Sequence, residues 1–167
     1  QLVADHFLQA GRKNAAFLGV DLPISCNERR LAGYQERLED AGLHIPSQNI
    51  RSIRPSSQDA YRAIQTWMKE KPDIDALFVY NDQLAFGVLR AFHDLGINIP
   101  DDIAVVSHDD VDSAQYFNPS LTTIRVPKYN LGFESAECLI NMIQHKEKEV
   151  NNQRVYEPAL IVRESSR

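Results

Sequence analysis

The chain has 167 residues, 43% hydrophobic and 25% charged, with 18 basic against 23 acidic side chains and a formal net charge of −5. That is the length and composition of one ordinary globular domain with a real core. The acidic balance argues against a nucleic-acid-binding face on this chain. No apolar run is long enough to span a membrane. No basic-then-apolar signal segment opens the chain, as would also hold for a trimmed form.

The chain opens in a helical pattern, with Leu2, Val3, Ala4, Phe7 and Leu8 before Gly11 as a stop. Ala15–Gly19 reads as a first short strand. Asn27–Leu43 reads as a helix with Leu31, Tyr34, Leu38 and Leu43 on one side. Asn49–Ile53 is a weak strand. Ser56 or Ser57 caps the next helix, which carries Ala60, Tyr61, Ile64, Trp67 and Met68 and ends before Pro72. Ala76–Tyr80 is an unbroken apolar and aromatic run, the pattern of a strand buried on both faces. Asp82–Leu95 is helical, and Gly96 ends it. Ile103–Val106 is another buried strand, Val111–Phe117 a short helical turn or loop, and Leu121–Val126 a further strand. Pro127 opens a helix running to about His145. The polar stretch Glu147–Asn152 is a loop, and Val155–Arg163 is a last extended segment. Strands alternating with helices predict an α/β fold, a three-layer parallel sheet with helices on both faces.

Polar residues follow the two strongest strands at once: Asn81-Asp82-Gln83 after one, Ser107-His108-Asp109-Asp110 after the other. Open α/β sheets bind ligands at the carboxyl ends of their strands, so these residues predict a cleft for a small polar molecule. Each also has a plainer use. Asp82 is expected to cap the helix it opens, which leaves Asn81 available to a ligand. Asp110 is expected to cap the turn at Val111. For Asp109 a cap and a ligand contact stand level, because a carboxylate at a strand tip accepts hydrogen bonds from hydroxyl or N–H groups. Arg29 and Arg30 open a helix, where the dipole disfavours cations. They are either surface arginines or guanidiniums at the cleft mouth that hold a hydroxyl pair or carboxylate.

Catalytic machinery is not legible. The five histidines (His6, His44, His93, His108 and His145) show no metal-ligand spacing. His108 and Asp109 are adjacent on a strand and are expected on opposite faces, with His108 a buried or loop residue. There is no glycine-rich phosphate loop, no serine elbow and no nucleophile–base pair. No cofactor is expected. Cys26 and Cys138 read as two free, buried or half-buried thiols, with a disulfide left open. Phe86, Tyr116 and Phe117 are aromatics near turns, by default core, and an interface if exposed together.

Several phrases resemble the effector-binding core of the lactose-repressor (galactose/purine-repressor) family of bacterial transcription regulators. They are Ala4-Asp5-His6-Phe7-Leu8 to Gly11, Glu28-Arg29-Arg30-Leu31-Ala32-Gly33-Tyr34, Asn81 to Gly87, and Gly96-Ile97-Asn98-Ile99-Pro100-Asp101-Asp102-Ile103 to Val106. Asp109-Asp110, Pro119-Ser120-Leu121-Thr122-Thr123-Ile124-Arg125 and Leu160 to Ser166 continue the series in family order. Ser107-His108 departs from it, since the family usually has Gly and an aromatic there.

The resemblance implies a periplasmic-binding-protein-like fold of two lobes with the effector between them, behind an N-terminal helix-turn-helix. This chain would carry neither that DNA-binding segment nor the first lobe. Residues 1–126 would form the C-terminal effector-binding lobe, 127–148 a crossing helix belonging to the first lobe, and 149–167 the return strand. It further implies that Arg30, Asn81 and Asp109 contact a small-molecule effector: a sugar, sugar phosphate or nucleobase. Phe86, Tyr116 and Phe117 would pair subunits in a homodimer. Operator DNA would be met only through the N-terminal domain, in the cytoplasm, with no membrane partner.

A periplasmic sugar-binding protein of a transport system is the second reading. An enzyme or phosphoacceptor on an α/β sheet is disfavoured, since a receiver domain needs an acidic pair after the first strand and only Asp21 stands there. One structural consequence is testable at once. The helix after Pro127 carries Leu131, Phe133, Ala136, Leu139, Ile140 and Ile143, and without a first lobe it must fold back, exchange with a neighbour or order poorly.

Overall fold

The computed structural model describes residues 1–145 and 154–167. The expected loop at Glu147–Asn152 and the division at 148–149 lie outside the described residues. Strands β1 (Ala15–Val20) and β3 (Ala76–Val79) are buried at every position, as their unbroken apolar runs require. With β2 (Ile50–Ile53), β4 (Ala104–Asp109), β5 (Thr122–Arg125) and β6 (Ala159–Ile161) they form one six-stranded sheet in the order β2-β1-β3-β4-β5-β6. Phe17 lies beside both Ile50 and Phe78, and Phe78 beside Val106, so the central strands are in parallel register.

The sheet is parallel except at one edge. β6 runs antiparallel to β5, where a wholly parallel sheet was expected. The chain re-enters beside the carboxyl ends of the strands, where Glu157 and Pro158 stand near His108 and Arg30. A strand entering from that edge must run back down the sheet.

Both faces are covered by helices. α3 (Ser57–Trp67) and α4 (Asp82–Leu95) pack on one face against Leu18, Leu77, Val79 and Val105. α1 (Leu2–Gln9) and α2 (Ser25–Asp40) cover the other, against Phe17, Phe78, Val106 and Ile124. The alternation along β1 sends Ala16, Leu18 and Val20 to the first cluster, Ala15 and Phe17 to the second. Ser56 is the cap of α3, its hydroxyl accepting from Asp59 N–H at 3.0 Å. Gly96, at φ 68°, ends α4 in the left-handed conformation.

α2 starts at Ser25, two residues earlier than its pattern predicts. Asn27 does not cap it. Its Oδ1 accepts from Val20 N–H at 3.1 Å and lies so near β1 that a Cβ at Gly19 would stand 2.6 Å from it. Arg29 and Arg30 therefore sit in the second turn, clear of the positive end of the dipole.

α3 and α4 meet through a glycine. A Cβ on Gly87 would lie 2.0 Å from the backbone oxygen of Ser57. Gly87→Ala should therefore destabilise the fold by about 1–3 kcal/mol in urea unfolding, although alanine is the better helix former by about 1 kcal/mol. A gain in stability would mean that the helices separate freely.

α5 (Lys128–His145) is different. From Lys128 to Gln144 no residue is buried, and only Glu134 and Cys138 are half-buried. Phe133 is 57% exposed, Leu139 58% and Ile143 69%. The helix forms, but its apolar residues do not fold back onto the sheet. The segment at Arg154 touches it, Arg154 pairing with Glu134.

Candidate functional site

The strand order reverses direction between β1 and β3. The connection after β1 goes to one face as α2 and that after β3 to the other as α4, which opens a crevice at their carboxyl ends. A cavity of about 500 Å³ lies on the α1–α2 side of that edge, among Arg29, Arg30, Phe78, His108, Ile124 and Glu157.

Arg30 reaches into it from α2. Its Nη1 donates to the Tyr80 carbonyl oxygen at 2.6 Å, and the guanidinium lies 4.5 Å from the Tyr80 ring centroid. Nη2 stands 3.9 Å from Asp109 Oδ1. That distance is an ion pair and not a hydrogen bond, so the guanidinium keeps donors for a third party. The Arg30 side chain is 20% exposed and that of Asp109 36%. Burial, and then the Cys26 thiol 3.1 Å away, push the Tyr80 hydroxyl up, against the pull of Arg30.

β4 continues past Val106 through Asp109. Asp109 has φ 117° and Asp110 φ 49°. Non-glycine residues seldom adopt such values, and each costs about 1–3 kcal/mol unless its surroundings hold it. The turn ends the strand's alternation and brings the Asp109 carboxylate back to His108, with Nδ1 and Oδ1 2.8 Å apart. The expectation that these neighbours face opposite ways is thus corrected.

The conformation is held from several sides. Asp110 N–H donates to Thr123 Oγ1 at 3.2 Å, and Val111 N–H to Asp82 Oδ2 at 2.9 Å. The Asp110 carboxylate accepts from Arg125 Nε at 2.5 Å and Arg163 Nη2 at 2.7 Å.

The caps are also distributed differently. Asn81, not Asp82, caps α4: its Oδ1 accepts from Leu84 N–H at 3.1 Å. Asp82 is wholly buried and accepts from the Ser107 hydroxyl, from Thr123 Oγ1 at 2.6 Å and from Val111 N–H. Burial pushes its carboxyl above the usual range, although these hydrogen bonds pull the other way. Asp110 caps nothing, because the turn Asp112–Tyr116 begins at Val111 without a side-chain cap. Burial raises the Asp110 carboxyl, but Arg163 and Arg125 outweigh that and hold it below its ordinary value.

Arg30 and Asp109 therefore meet beside the cavity, whose wall holds Arg30 and His108, the two partners of Asp109; Asp109 and Asn81 themselves stand outside the lining, Asn81 with its oxygen committed. Phe86 and Phe117 come together elsewhere, their rings stacked with centroids 4.0 Å apart. Tyr116 lies next to them in sequence and is 80% exposed. Cys26 is exposed, against expectation, because it sits on the first turn of α2 at the carboxyl edge. It and Cys138 are free thiols.

The burial of the C-terminal strap has no mark in the residue pattern. Ser165 and Ser166 look like a polar tail yet are buried. Ser165 Oγ donates to Val105 O at 2.6 Å and accepts from Thr122 N–H at 2.8 Å. Ser166 Oγ lies 2.7 Å from His6 Nε2. Among the described residues no His, Cys, Asp or Glu cluster could hold a metal, and no helix is long and apolar enough to cross a membrane.

Comparison with known proteins agrees with this fold. The periplasmic binding protein-like domain matches residues 4–166. The HTH-type transcriptional repressor PurR of Photobacterium profundum is 32% identical over 162 residues, which is 96% of this chain and 48% of that protein. The chain thus spans about half the length of the curated relatives it matches. A sugar-binding transcriptional regulator of the LacI family from Escherichia coli, solved with phosphate, superposes with a TM-score of 0.87 at 25% identity, covering 98% of this chain and 58% of that one. The transcriptional regulator CelR in complex with cellobiose superposes with a TM-score of 0.89 at 27% identity, covering 98% of this chain and 50% of that one. The chain belongs to the periplasmic binding protein-like domain family, as the effector-binding domain type of the LacI-family transcription regulators.

Proposed function

We propose that this chain is the effector-binding and dimerisation portion of a bacterial DNA-binding transcription regulator acting in the cytoplasm. It would take a small sugar, sugar phosphate or nucleobase-like ligand in a cleft between two lobes and so control operator affinity. The observation that carries the reading is the Arg30–Asp109 pair. A cation on the wall of the switch-point cavity and a carboxylate 3.9 Å from it, both partly exposed, offer donors and acceptors to one polar ligand. Asn81 is proposed as a contact through its amide nitrogen, since its oxygen serves the helix cap.

The uncovered apolar residues of α5 support the domain reading. Residues 1–126 would be the C-terminal lobe, 127–148 a helix that packs within the first lobe, and 149–167 the return. Each aliphatic or aromatic side chain left in water forgoes roughly 1.5–3 kcal/mol, so a cover is required. Operator DNA would be bound by a separate N-terminal domain, in keeping with the acidic balance of this chain. A transport-type sugar-binding protein is the weaker alternative, because the similar proteins are transcription regulators.

Thermal unfolding of the full-length protein against D-glucose, cellobiose, glucose 6-phosphate, adenine and hypoxanthine tests the ligand reading. A compound at a hundred times its Kd adds about 2.7 kcal/mol to stability. Asp109→Asn should weaken that compound by about 1–3 kcal/mol in calorimetry, the loss expected for a charged hydrogen bond. Unchanged affinity would remove Asp109 from the site. Dimerisation is proposed through α4 and the Phe86, Tyr116 and Phe117 face, as an isologous contact burying more than about 1,000 Å². Sedimentation showing only monomer at high micromolar concentration would refute it.

A further inference from the structure

We infer that His108 is a specificity-determining residue of the effector site, presenting a hydrogen-bond acceptor to the ligand and so selecting neutral compounds that donate from a hydroxyl or N–H. The inference rests on the effector reading of this cavity and adds a residue and a ligand chemistry to it.

The residue lies on the cavity wall with its side chain 16% exposed. β4 carries it on the same face as Val106, and Ile124 is its lateral neighbour on β5. Its ring therefore stands at the carboxyl edge on the side that Arg30 enters.

Its tautomer follows from its partner. A carboxylate only accepts, so the 2.8 Å contact with Asp109 Oδ1 puts the ring proton on Nδ1. In the neutral ring Nε2 then carries a lone pair and no hydrogen. Among the described residues Nε2 has no hydrogen-bond partner. The left-handed turn at Asp109 creates this arrangement, because an extended residue there would send its carboxylate to the other face.

The charged neighbours define what fits. Arg29 and Arg30 come from α2, Asp109 from β4 and Glu157 from the returning segment. Arg30 supplies donors, while Nε2 of His108 and the outer oxygen of Asp109 supply acceptors. A hydroxyl pair meets both needs, accepting from the guanidinium and donating to the imidazole and carboxylate. Inorganic phosphate as the dianion keeps a single proton to donate and would bring two negative charges against Asp109.

The test has two arms on the full-length protein. Long-range ¹H–¹⁵N imidazole spectra at pH 8.5 should show His108 as the Nδ1–H tautomer, identified by the loss of its signals in His108→Phe. An Nε2–H tautomer overturns the inference without any ligand. In the second arm, D-glucose, cellobiose, glucose 6-phosphate, adenine, hypoxanthine and inorganic phosphate are titrated by calorimetry. A binder that needs Arg30 should lose affinity about tenfold or more in His108→Phe, and part of it should return in His108→Gln, which keeps a carbonyl acceptor. A binder that needs Arg30 yet ignores His108 overturns this inference and leaves the effector reading standing. A binder indifferent to both Arg30 and His108 overturns the effector reading itself. If inorganic phosphate alone binds, or none of the compounds does, the assigned ligand class is wrong.

Discussion

Asp82→Ala should destabilise the protein by about 3 kcal/mol or more, measured as a lower urea midpoint at 25 °C and pH 7. The carboxylate is fully buried and accepts from the Ser107 and Thr123 hydroxyls and from Val111 N–H. Ser107 lies on β4 and Thr123 on β5, while Asp82 itself begins α4, so one side chain joins two strands, a helix and the loop after β4. Removing it strands buried donors in an apolar setting, each at about 1–3 kcal/mol, partly recovered as the hydroxyls rotate to other acceptors. Asp82→Asn should cost less. Its amide oxygen still accepts from the hydroxyls, and it has no charge to bury. A loss below 1 kcal/mol for the alanine variant would mean that water or the backbone replaces the carboxylate.

The same residue illustrates how far the chain could be read before it was seen folded. The sheet and its helices were legible, because strands buried on both faces must be continuous apolar runs and the turns between them carry Gly, Pro or capping residues. Asp82–Leu95 ends where Gly96 says it should. Asp109 by its position after a strand, Arg30 by its place near a helix start, and both by resemblance, were identifiable as a pair, and they do meet. The division of labour between Asn81 and Asp82 was not legible. Either can cap, and what buries Asp82 is the arrival of Ser107 and Thr123 from 25 and 41 residues away. His108 and Asp109 were misread for a different reason. Alternation assumes extended backbone, and a positive φ at an aspartate has no reliable sequence mark. The buried strap at Ser165 and Ser166 was invisible because isolated serines carry no periodicity.

Asp110→Asn should destabilise the protein by about 2–3 kcal/mol at pH 7 and by progressively less as pH is lowered below about 4. The carboxylate is 8% exposed and receives Arg163 Nη2 at 2.7 Å, whose own side chain is 16% exposed. Its second partner, Arg125, is 57% exposed and contributes little once water screens it. Most of the loss comes from Arg163, left partly buried with only the Leu121 carbonyl, 2.7 Å from its Nη1. Arg163 anchors the strap through its backbone as well, donating N–H to Thr122 Oγ1 at 2.8 Å. The sign of the pH dependence follows from the direction of the shift. Folding holds the Asp110 carboxyl below its unfolded value near 3.9, so its contribution is complete above that pH and is lost as pH falls through the folded value. Asp82 acts in the opposite sense. Its carboxyl is raised by folding, so its titration favours the folded state at low pH and opposes it as pH rises past the folded value. Between pH 3 and 7 Asp82 and Asp110 therefore act on the stability curve in opposite senses, and Asp110→Asn removes one of the two. The variant's urea midpoint should then rise, relative to wild type, as pH is lowered from 7 to 3. A constant gap between the two curves would show that Arg163 finds another anion and that the pair does not hold the strap.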